Sequence, residues 1–205
     1  MITIYQLKPA FQTLLRPVVG QLARRGVSAN GVTLAATLAS IVVGGLIAAW
    51  PEAAWPLLVL PVFLFVRMAL NAIDGMLARE HQQQSRLGAI LNELGDAVSD
   101  AALYLPLALV SGFSPALVVG VVVLALIGEM TGILGPSVGA SRRYDGPMGK
   151  SDRAFVFGAL ALWAGLGLPA QFAFDWILGA MALLAAWTIF NRARKALAEG
   201  DSRHG

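Results

Sequence analysis

Long apolar stretches separated by short polar segments set the pattern of this chain. Six of the stretches approach the length of about 20 residues that an α-helix needs to cross the hydrocarbon core of a bilayer. The pattern therefore predicts an all-α integral membrane protein with six transmembrane helices. The predicted spans are residues 32–49, 55–79, 87–110, 115–136, 153–168 and 171–191.

The N-terminal segment has a different pattern, because apolar and basic residues form an amphipathic helical repeat from Ile4 to Arg25. Such helices are typical of segments that lie in the membrane interface. We predict a cytoplasmic interfacial helix and linker over residues 1–30 and a six-helix membrane domain over residues 31–205. The segment has no compact apolar run that ends in a small-residue cleavage site, so no signal peptide is predicted.

Lysine and arginine residues are divided unequally between the two sides of this layout. Of the 15 lysine and arginine residues, 14 lie before the first span, between the second and third or at their facing ends, between the fourth and fifth or at their facing ends, or after the sixth. Only Arg67 lies in the interior of a span. Because cytoplasmic loops of membrane proteins carry an excess of basic residues, the distribution predicts that both termini are cytoplasmic.

Composition supports the membrane prediction and narrows the chemistry. The mean hydropathy of +0.69 and the hydrophobic fraction of 57% lie outside the range of soluble globular proteins. The chain has no cysteine and two histidines, which excludes disulfides, thiol catalysis and metal sites rich in cysteine or histidine. The pI near 9.7 follows from the basic cytoplasmic loops and does not indicate a nucleic-acid partner.

Polar and small residues recur at helical spacing in the second and third spans. One face at the end of the second span carries Asn71, Asp74, Gly75, Ala78 and Arg79. One face at the start of the third span carries Gly88, Asn92, Asp96 and Asp100. Residues three or four positions apart share a helix face. Because the loop between these spans is short, we expect antiparallel neighbours whose polar faces meet near the cytoplasmic boundary of the membrane.

Carboxylates at membrane depth are costly unless they face a cation or a cavity. Four side chains with oxygen atoms on facing helices suit Mg²⁺, which commonly completes its shell with phosphate oxygens. The small residues Gly75, Ala78 and Gly88 would admit a bulky ligand, and Arg79 and Arg86 could neutralise a diphosphate. Two other hypotheses are that the rows only pair across the helix interface, or that they conduct protons or ions.

The spacing of these residues resembles the motif of the CDP-alcohol phosphotransferases, Asp-x2-Asp-Gly-x2-Ala-Arg-x8-Gly-x3-Asp-x3-Asp. Here the motif reads Asn71-x2-Asp74-Gly75-x2-Ala78-Arg79-x8-Gly88-x3-Asn92-x3-Asp96. The segment from Ser28 to Thr33 is similar to the family's Pro-Asn-x-x-Thr at the opening of the first span. The segment from Gly149 to Arg153 resembles its basic Gly-Lys segment. The resemblance extends over most of the chain.

The resemblance implies a bacterial inner-membrane enzyme that transfers a substituted phosphate from a CDP-linked donor, commonly CDP-diacylglycerol, to an alcohol and releases CMP. It implies homodimers and a Mg²⁺ or Mn²⁺ ion held by Asn71, Asp74, Asn92 and Asp96. Asp96 is the matched base for the acceptor hydroxyl, and Asp100 is a second candidate. The expected donor-binding and neighbouring positions are Asn30, Thr33, Gly75, Ala78, Arg79, Ser85, Gly88, Lys150 and Arg153.

This chain departs from the motif at two of its four acidic positions, which are Asn71 and Asn92. An amide oxygen can bind a cation but contributes no charge. Three hypotheses follow: an enzyme with one metal ion or a weak second one, compensation by nearby acids, or a protein that binds CDP-lipids without turnover. The candidate compensating acids are Asp100, Glu93 and Glu129. We favour an enzyme, because an asparagine preserves the shape of the side chain and one ligand oxygen.

The acceptor is indicated only by charge. Arg142, Arg143, Lys150 and Arg153 lie between the fourth and fifth spans, on the side of the polar rows. They would suit a small polar alcohol that carries a phosphate, such as glycerol phosphate. Alternatively, they serve topology and anionic lipid headgroups. Arg67 is expected to pair with a motif acid or with Glu129. A small transporter is a further alternative, although the polar rows lie toward one side and an inverted repeat is not evident.

Overall fold

The computed structural model describes residues 4–169 and 172–204, and all regular secondary structure within these ranges is helical. The prediction of an all-α protein is therefore confirmed. A short 3₁₀ helix, Leu105–Leu109, continues from α4, and a second one, Gly135–Val138, follows α5. The α-helices are α1 Ile4–Arg24, α2 Ala29–Ala49, α3 Ala54–Glu80, α4 Arg86–Tyr104, α5 Pro115–Ile133, α6 Lys150–Gly165 and α7 Ala173–His204.

The predicted helix ends differ from the observed ones on the basic side. The predicted sixth span ends at residue 191, whereas α7 continues to His204, so Arg192, Arg194 and Lys195 lie within this helix. Arg79 lies in the last turn of α3, and Lys150 begins α6. Hydropathy marks the apolar part of a helix, whereas alanine, lysine, arginine and glutamate extend it into water because they are good helix formers. The predicted start at residue 171 lies outside the described residues.

Four of the described helices are long and apolar enough to cross a membrane: Ala29–Ala49, Ala54–Glu80, Pro115–Ile133 and Ala173–Gly200. The helices that correspond to the predicted third and fifth spans do not meet this criterion. α4 carries Arg86, Glu93, Asp96 and Asp100, and α6 has only 16 residues. Length and composition thus establish a multi-pass membrane protein with four candidate spans.

The chain forms two compact units, and α2, α3 and α4 contribute residues to both. The first unit consists of Met1–Val42 and Val62–Asp100. Its core is a cluster of buried apolar side chains from α1, α2 and α3: Val19, Ala29, Val32, Ile73, Met76 and Leu77. Arg16 of α1 donates two hydrogen bonds to the carboxylate of Glu80 at 3.2 and 3.0 Å, so α1 is fastened to the end of α3.

The second unit consists of Val43–Pro61 and Ala101–Gly205. Within it, α5 packs along α7, and the buried ring of Tyr104 stacks on Phe157 of α6 with a centroid distance of 4.3 Å. The loop from Gly139 to Gly149 returns to α5, where the amide of Arg143 donates to the carbonyl of Gly132 at 3.0 Å. This contact brings the basic residues of the loop to the C-terminal end of α5.

Candidate active site

The polar faces of α3 and α4 meet in the first unit. Asn71 Nδ2 donates to Asp96 Oδ1 at 3.3 Å, and Arg67 Nη1 donates to Asp100 Oδ1 at 2.7 Å. The two contacts fit one antiparallel register, because Arg67 lies four residues before Asn71 on α3 and Asp100 lies four residues after Asp96 on α4. The expectation that the two rows face each other is confirmed.

Arg67 connects two acids of α4. In addition to its bond to Asp100, its Nη2 donates to the backbone carbonyl of Asp96 at 3.2 Å and lies 3.5 Å from Asp96 Oδ1. Arg67 is 3% exposed and Asp100 is 4% exposed, so their charges are held away from solvent. The expected pairing of Arg67 with a motif acid is confirmed, whereas its extension to Asp100 was not predicted.

Asp74 is buried and is oriented by α2. Thr33 Oγ1 donates to Asp74 Oδ2 at 2.8 Å and is also within 3.2 Å of the carbonyl of Ala29 one turn earlier. A threonine hydroxyl can hold a carboxylate from an adjacent helix because its own rotamer is restricted by β-branching. Thr33 was predicted as a site residue, and the structure shows its specific contact. Its hydroxyl fixes the orientation of the motif carboxylate of Asp74.

Close packing of α2 against α4 joins Asn30, Ser85 and Gly88. A Cβ atom on Gly88 would lie 2.7 Å from Asn30 Oδ1 and 3.0 Å from Ser85 Oγ. Ser85 Oγ also accepts from the amide of Gly88 at 2.9 Å, which caps the start of α4. A Cβ on Gly95 would likewise lie 2.7 Å from Thr37 Oγ1. Sequence reasoning missed Gly95, since its role depends on how closely two helices approach.

The remaining motif residues lie on the same stretch of helix. The exposed guanidinium of Arg79 lies over Gly75, where an added Cβ would be 3.1 Å from Arg79 Nη2. Ala78 packs against the apolar cluster of the first unit. Asn92 is half-buried one turn before Asp96 on α4. The structure thus brings the motif residues of α3 and α4 together with Asn30 and Thr33 of α2.

The donor atoms at this place suit a hard divalent cation. Asp74 and Asp96 supply carboxylate oxygens, and Asn71 and Asn92 supply amide oxygens, which are ligands that Mg²⁺ and Mn²⁺ accept. Among the described residues there is no group of three or more His, Cys, Asp or Glu side chains arranged for a metal ion. A cation at these residues would therefore use the amides and phosphate oxygens of a ligand, and the residues present fit that arrangement.

A second charged cluster lies in the other unit, around Glu129 of α5. Arg153 Nη2 lies 3.1 Å from Glu129 Oε1, and Arg192 Nη1 lies 3.4 Å from Glu129 Oε2. Both arginines are 2% exposed. Arg153 also donates to the carbonyl of Met148 at 3.2 Å, and Arg192 donates to the carbonyl of Gly128 at 2.6 Å. Arg192 was missed, because its position after an apolar run indicated only a topological charge.

The basic loop before α6 is held to α7 by ion pairs. Asp145 accepts from Lys195 Nζ at 2.7 Å and pairs with Arg143 at 2.8 Å, while Arg143 also pairs with Glu199 at 2.6 Å. The hydrogen bond from Lys195, followed by the contacts with Arg143, lowers the pKa of the Asp145 carboxyl. Arg143 thus serves loop structure, and Lys150 lies half-buried at the start of α6.

The four apolar helices and the motif on α3 and α4 define a multi-pass membrane protein, and its similarity to an inner membrane protein of Escherichia coli supports the bacterial inner membrane. The sequence model of the CDP-alcohol phosphatidyltransferase family matches residues 26–190. The chain belongs to this family, and its reaction is the transfer of a phosphatidyl group from a CDP-linked donor to an alcohol in phospholipid biosynthesis.

Individual relatives support the same assignment. The chain is 46% identical over 198 residues to the inner membrane protein YnbA of Escherichia coli K12, covering 95% of this chain and 96% of the relative. It is 28% identical over 177 residues to the phosphatidylinositol phosphate synthase of Mycolicibacterium smegmatis, covering 83% of this chain and 76% of that protein.

A solved structure shares the fold at low sequence identity. The phosphatidylinositol phosphate synthase of Mycobacterium tuberculosis, in complex with manganese and citrate, superposes with a TM-score of 0.75 at 20% identity. The match covers 88% of this chain and 87% of that chain. A structure of the same synthase with CDP-DAG bound gives a TM-score of 0.70, also at 20% identity, and covers 90% of this chain and 92% of that chain.

Proposed function

We propose that this protein transfers the phosphatidyl group of CDP-diacylglycerol to a small polar alcohol in a reaction that depends on Mg²⁺ or Mn²⁺. The single observation that carries the proposal is the meeting of α3 and α4 at Asn71 and Asp96, with Asp74 oriented by Thr33 in the same unit. The solved synthase structures with manganese and with CDP-DAG support a metal ion and a CDP-lipid donor for a protein of this fold.

The cation would be held by Asn71, Asp74, Asn92 and Asp96. When bound, it would stabilise the negative charge that develops on the diphosphate during transfer. The chain itself supplies position: Thr33 fixes Asp74, and Asn71 fixes Asp96 by donating an N–H to its carboxylate. Fixed dipoles and charges of this kind account for much of the catalysis in phosphoryl transfer.

The donor nucleotide would lie against the segment where α2 and α4 approach each other. Asn30, Ser85 and Gly88 converge there, and the glycine allows the polar side chains of Asn30 and Ser85 to lie close to the backbone of α4. The exposed guanidinium of Arg79 can turn away from Gly75 and neutralise the diphosphate. Ala78 supports this segment from the core.

Asp96 is proposed as the base that takes the proton of the acceptor hydroxyl. It is half-buried and therefore open to a ligand, whereas Asp100 is buried and held by Arg67 at 2.7 Å. A general base must come within hydrogen-bonding distance of the proton it removes. We therefore assign Asp100 to the support of Arg67 and Asp96.

The proposed acceptor carries a phosphate that is bound near Lys150 and Arg153 at the start of α6. The buried guanidinium groups of Arg153 and Arg192 both contact the carboxylate of Glu129. An anionic acceptor would add negative charge beside this pair of cations. Charge-assisted hydrogen bonds from arginine are the strong contacts for such an anion.

In the membrane, we propose six spans with both termini in the cytoplasm. In this arrangement α4 and α6 cross the membrane in addition to the four candidate spans. α4 and its 3₁₀ continuation extend from Arg86 to Leu109, and this length is sufficient for the hydrocarbon core. Helix α1, with Leu14 73% exposed, would lie along the cytoplasmic surface as an interfacial helix before a membrane domain over residues 31–205. The assembly is proposed to be a homodimer, which size-exclusion chromatography with light scattering can test.

Cysteine labelling is expected to confirm the six-span arrangement, since the chain has no native cysteine. Gln84→Cys and Ser141→Cys should react with a membrane-impermeant maleimide only after the inner membrane is opened. Ser111→Cys and Phe172→Cys should react in spheroplasts. If Gln84→Cys and Ser111→Cys label from the same side, α4 does not cross. The pair Ser141→Cys and Phe172→Cys decides in the same way for α6.

The reaction is tested by CMP release from CDP-diacylglycerol by the purified protein, with a panel of phosphorylated and neutral alcohols. We expect CMP release that requires Mg²⁺ or Mn²⁺ and an alcohol, with mass spectrometry identifying the new phospholipid. Donor binding without CMP release for any alcohol would favour a CDP-lipid-binding protein. Absence of both would favour a transporter, for which uptake by proteoliposomes is the measurement.

A further inference from the structure

Arg67 is a buried cation beside the proposed metal ligands, one turn before Asn71 on α3. Its guanidinium contacts the carboxylate of Asp100 at 2.7 Å, and both the carbonyl and the carboxylate of Asp96 at 3.2 and 3.5 Å. Asp96 and Asp100 are separated by one helical turn, so a positive charge between them offsets their mutual repulsion.

Asn71 completes the same arrangement from the other side of Asp96. Its amide donates to Asp96 Oδ1 at 3.3 Å. An aspartate at this position would place two carboxylates face to face, and that contact would require a cation between them. With asparagine the contact is a direct hydrogen bond. The charge needed at Asp96 is therefore supplied by the protein itself, through Arg67.

We infer that Arg67 is a positioning residue that takes the place of a second divalent cation, so that the site binds one metal ion per chain. This inference rests on the proposed metal-dependent transfer. In this arrangement the asparagines at positions 71 and 92 lower the negative charge of the site, and Arg67 neutralises part of the negative charge that remains. Both features reduce the need for a second metal ion. The guanidinium holds Asp96 in place and limits the number of metal ions that the acids can attract.

The inference is tested by Mn²⁺ binding to the purified full-length protein, followed by electron paramagnetic resonance and calorimetry without nucleotide. We expect one Mn²⁺ per wild-type chain. Arg67→Gln removes the resident cation, so it should admit a second Mn²⁺ or tighten the first by about tenfold or more, because a positive charge near the ion is lost. Arg67→Lys, which keeps the charge, should retain one ion with the wild-type affinity.

The matched control is the double variant Arg67→Gln with Asp100→Asn, which removes both charges of the buried pair. We expect it to bind one Mn²⁺ with an affinity within about threefold of the wild type, since the net charge is unchanged. Two Mn²⁺ ions per wild-type chain would overturn the inference. So would a folded Arg67→Gln protein with unchanged Mn²⁺ number and affinity.

Two further outcomes keep the test decisive. If Arg67→Gln does not fold, the wild-type count decides, because one ion supports the inference and two ions overturn it. CMP release is measured on the same wild-type preparation. A protein that releases CMP but binds two ions contradicts only the role of Arg67. A protein that neither binds Mn²⁺ nor releases CMP contradicts the proposed function, and with it the basis of the inference.

Discussion

Asp74→Asn and Asp96→Asn are each expected to reduce the rate of CMP release by about 100-fold to 1000-fold, which is the usual effect of removing one electrostatic contact to a transition state. These residues are the two acids retained at the four acidic positions of the motif. Each replacement keeps the shape of the side chain and removes one negative charge from the proposed cation site. The measurement is CMP release at saturating donor and acceptor, together with Mn²⁺ affinity.

The two variants should differ in how they fail. Asp74 is held by Thr33, and its loss should weaken Mn²⁺ binding, so that high metal concentration restores part of the activity. Asp96 is also the proposed base, so the reduced activity of the Asp96→Asn variant should persist at saturating metal. Asp175→Asn is the matched control, since Asp175 is an exposed acid in the first turn of α7. Wild-type rates in the Asp96 variant would contradict its assignment as base.

The sequence predicted the part of the site that depends on helical spacing. The rows from Asn71 to Arg79 and from Gly88 to Asp100 are local features, since residues three or four apart must share a face. A short loop between two helices then favours antiparallel neighbours. The contact of Asn71 with Asp96 follows from these two facts, and the structure confirms it.

Other parts of the site depend on contacts between residues that are distant in sequence. Arg67 was the one basic residue in the interior of a predicted span, and its charge indicated a partner. The choice of Asp100 as that partner depends on the register of α3 against α4. The approach of Gly95 to Thr37 depends on the distance between α2 and α4. Neither a register nor an interhelical distance is encoded in the periodicity of a single helix.

The cluster around Glu129 also depends on contacts between residues that are distant in sequence. Its three members come from α5, α6 and α7, and they lie 24 and 39 positions apart in the sequence. Glu129 was predicted only as a compensating acid or as a partner of Arg67, whereas its contacts with Arg153 and Arg192 were not predicted. Arg192 could have been predicted as a site residue if the continuation of α7 had been expected. A buried arginine within a helix that follows an apolar run is costly without a nearby acid, and this cost indicates a partner.

Arg153→Gln is expected to lower kcat/KM for a phosphorylated alcohol by about 100-fold, because a buried charge-assisted contact contributes about 1.5–3 kcal/mol. Mn²⁺ binding should be retained. Arg153→Lys keeps the charge but cannot bridge Glu129 and the carbonyl of Met148 in the same way, so we expect an intermediate loss. The measurement is CMP release as a function of acceptor concentration.

Glu129→Gln should change acceptor affinity in the opposite direction, and this sign separates recognition of an anion from a general loss of structure. The carboxylate lies between the guanidinium groups of Arg153 and Arg192 and neutralises part of their charge. Its removal leaves two buried cations, which destabilises the free protein. A phosphorylated acceptor replaces the missing negative charge, so its KM should fall and its stabilising effect on thermal unfolding should increase. If Arg153→Gln and Glu129→Gln both raise the KM, the cluster maintains the packing of α5, α6 and α7, and the acceptor phosphate is bound elsewhere.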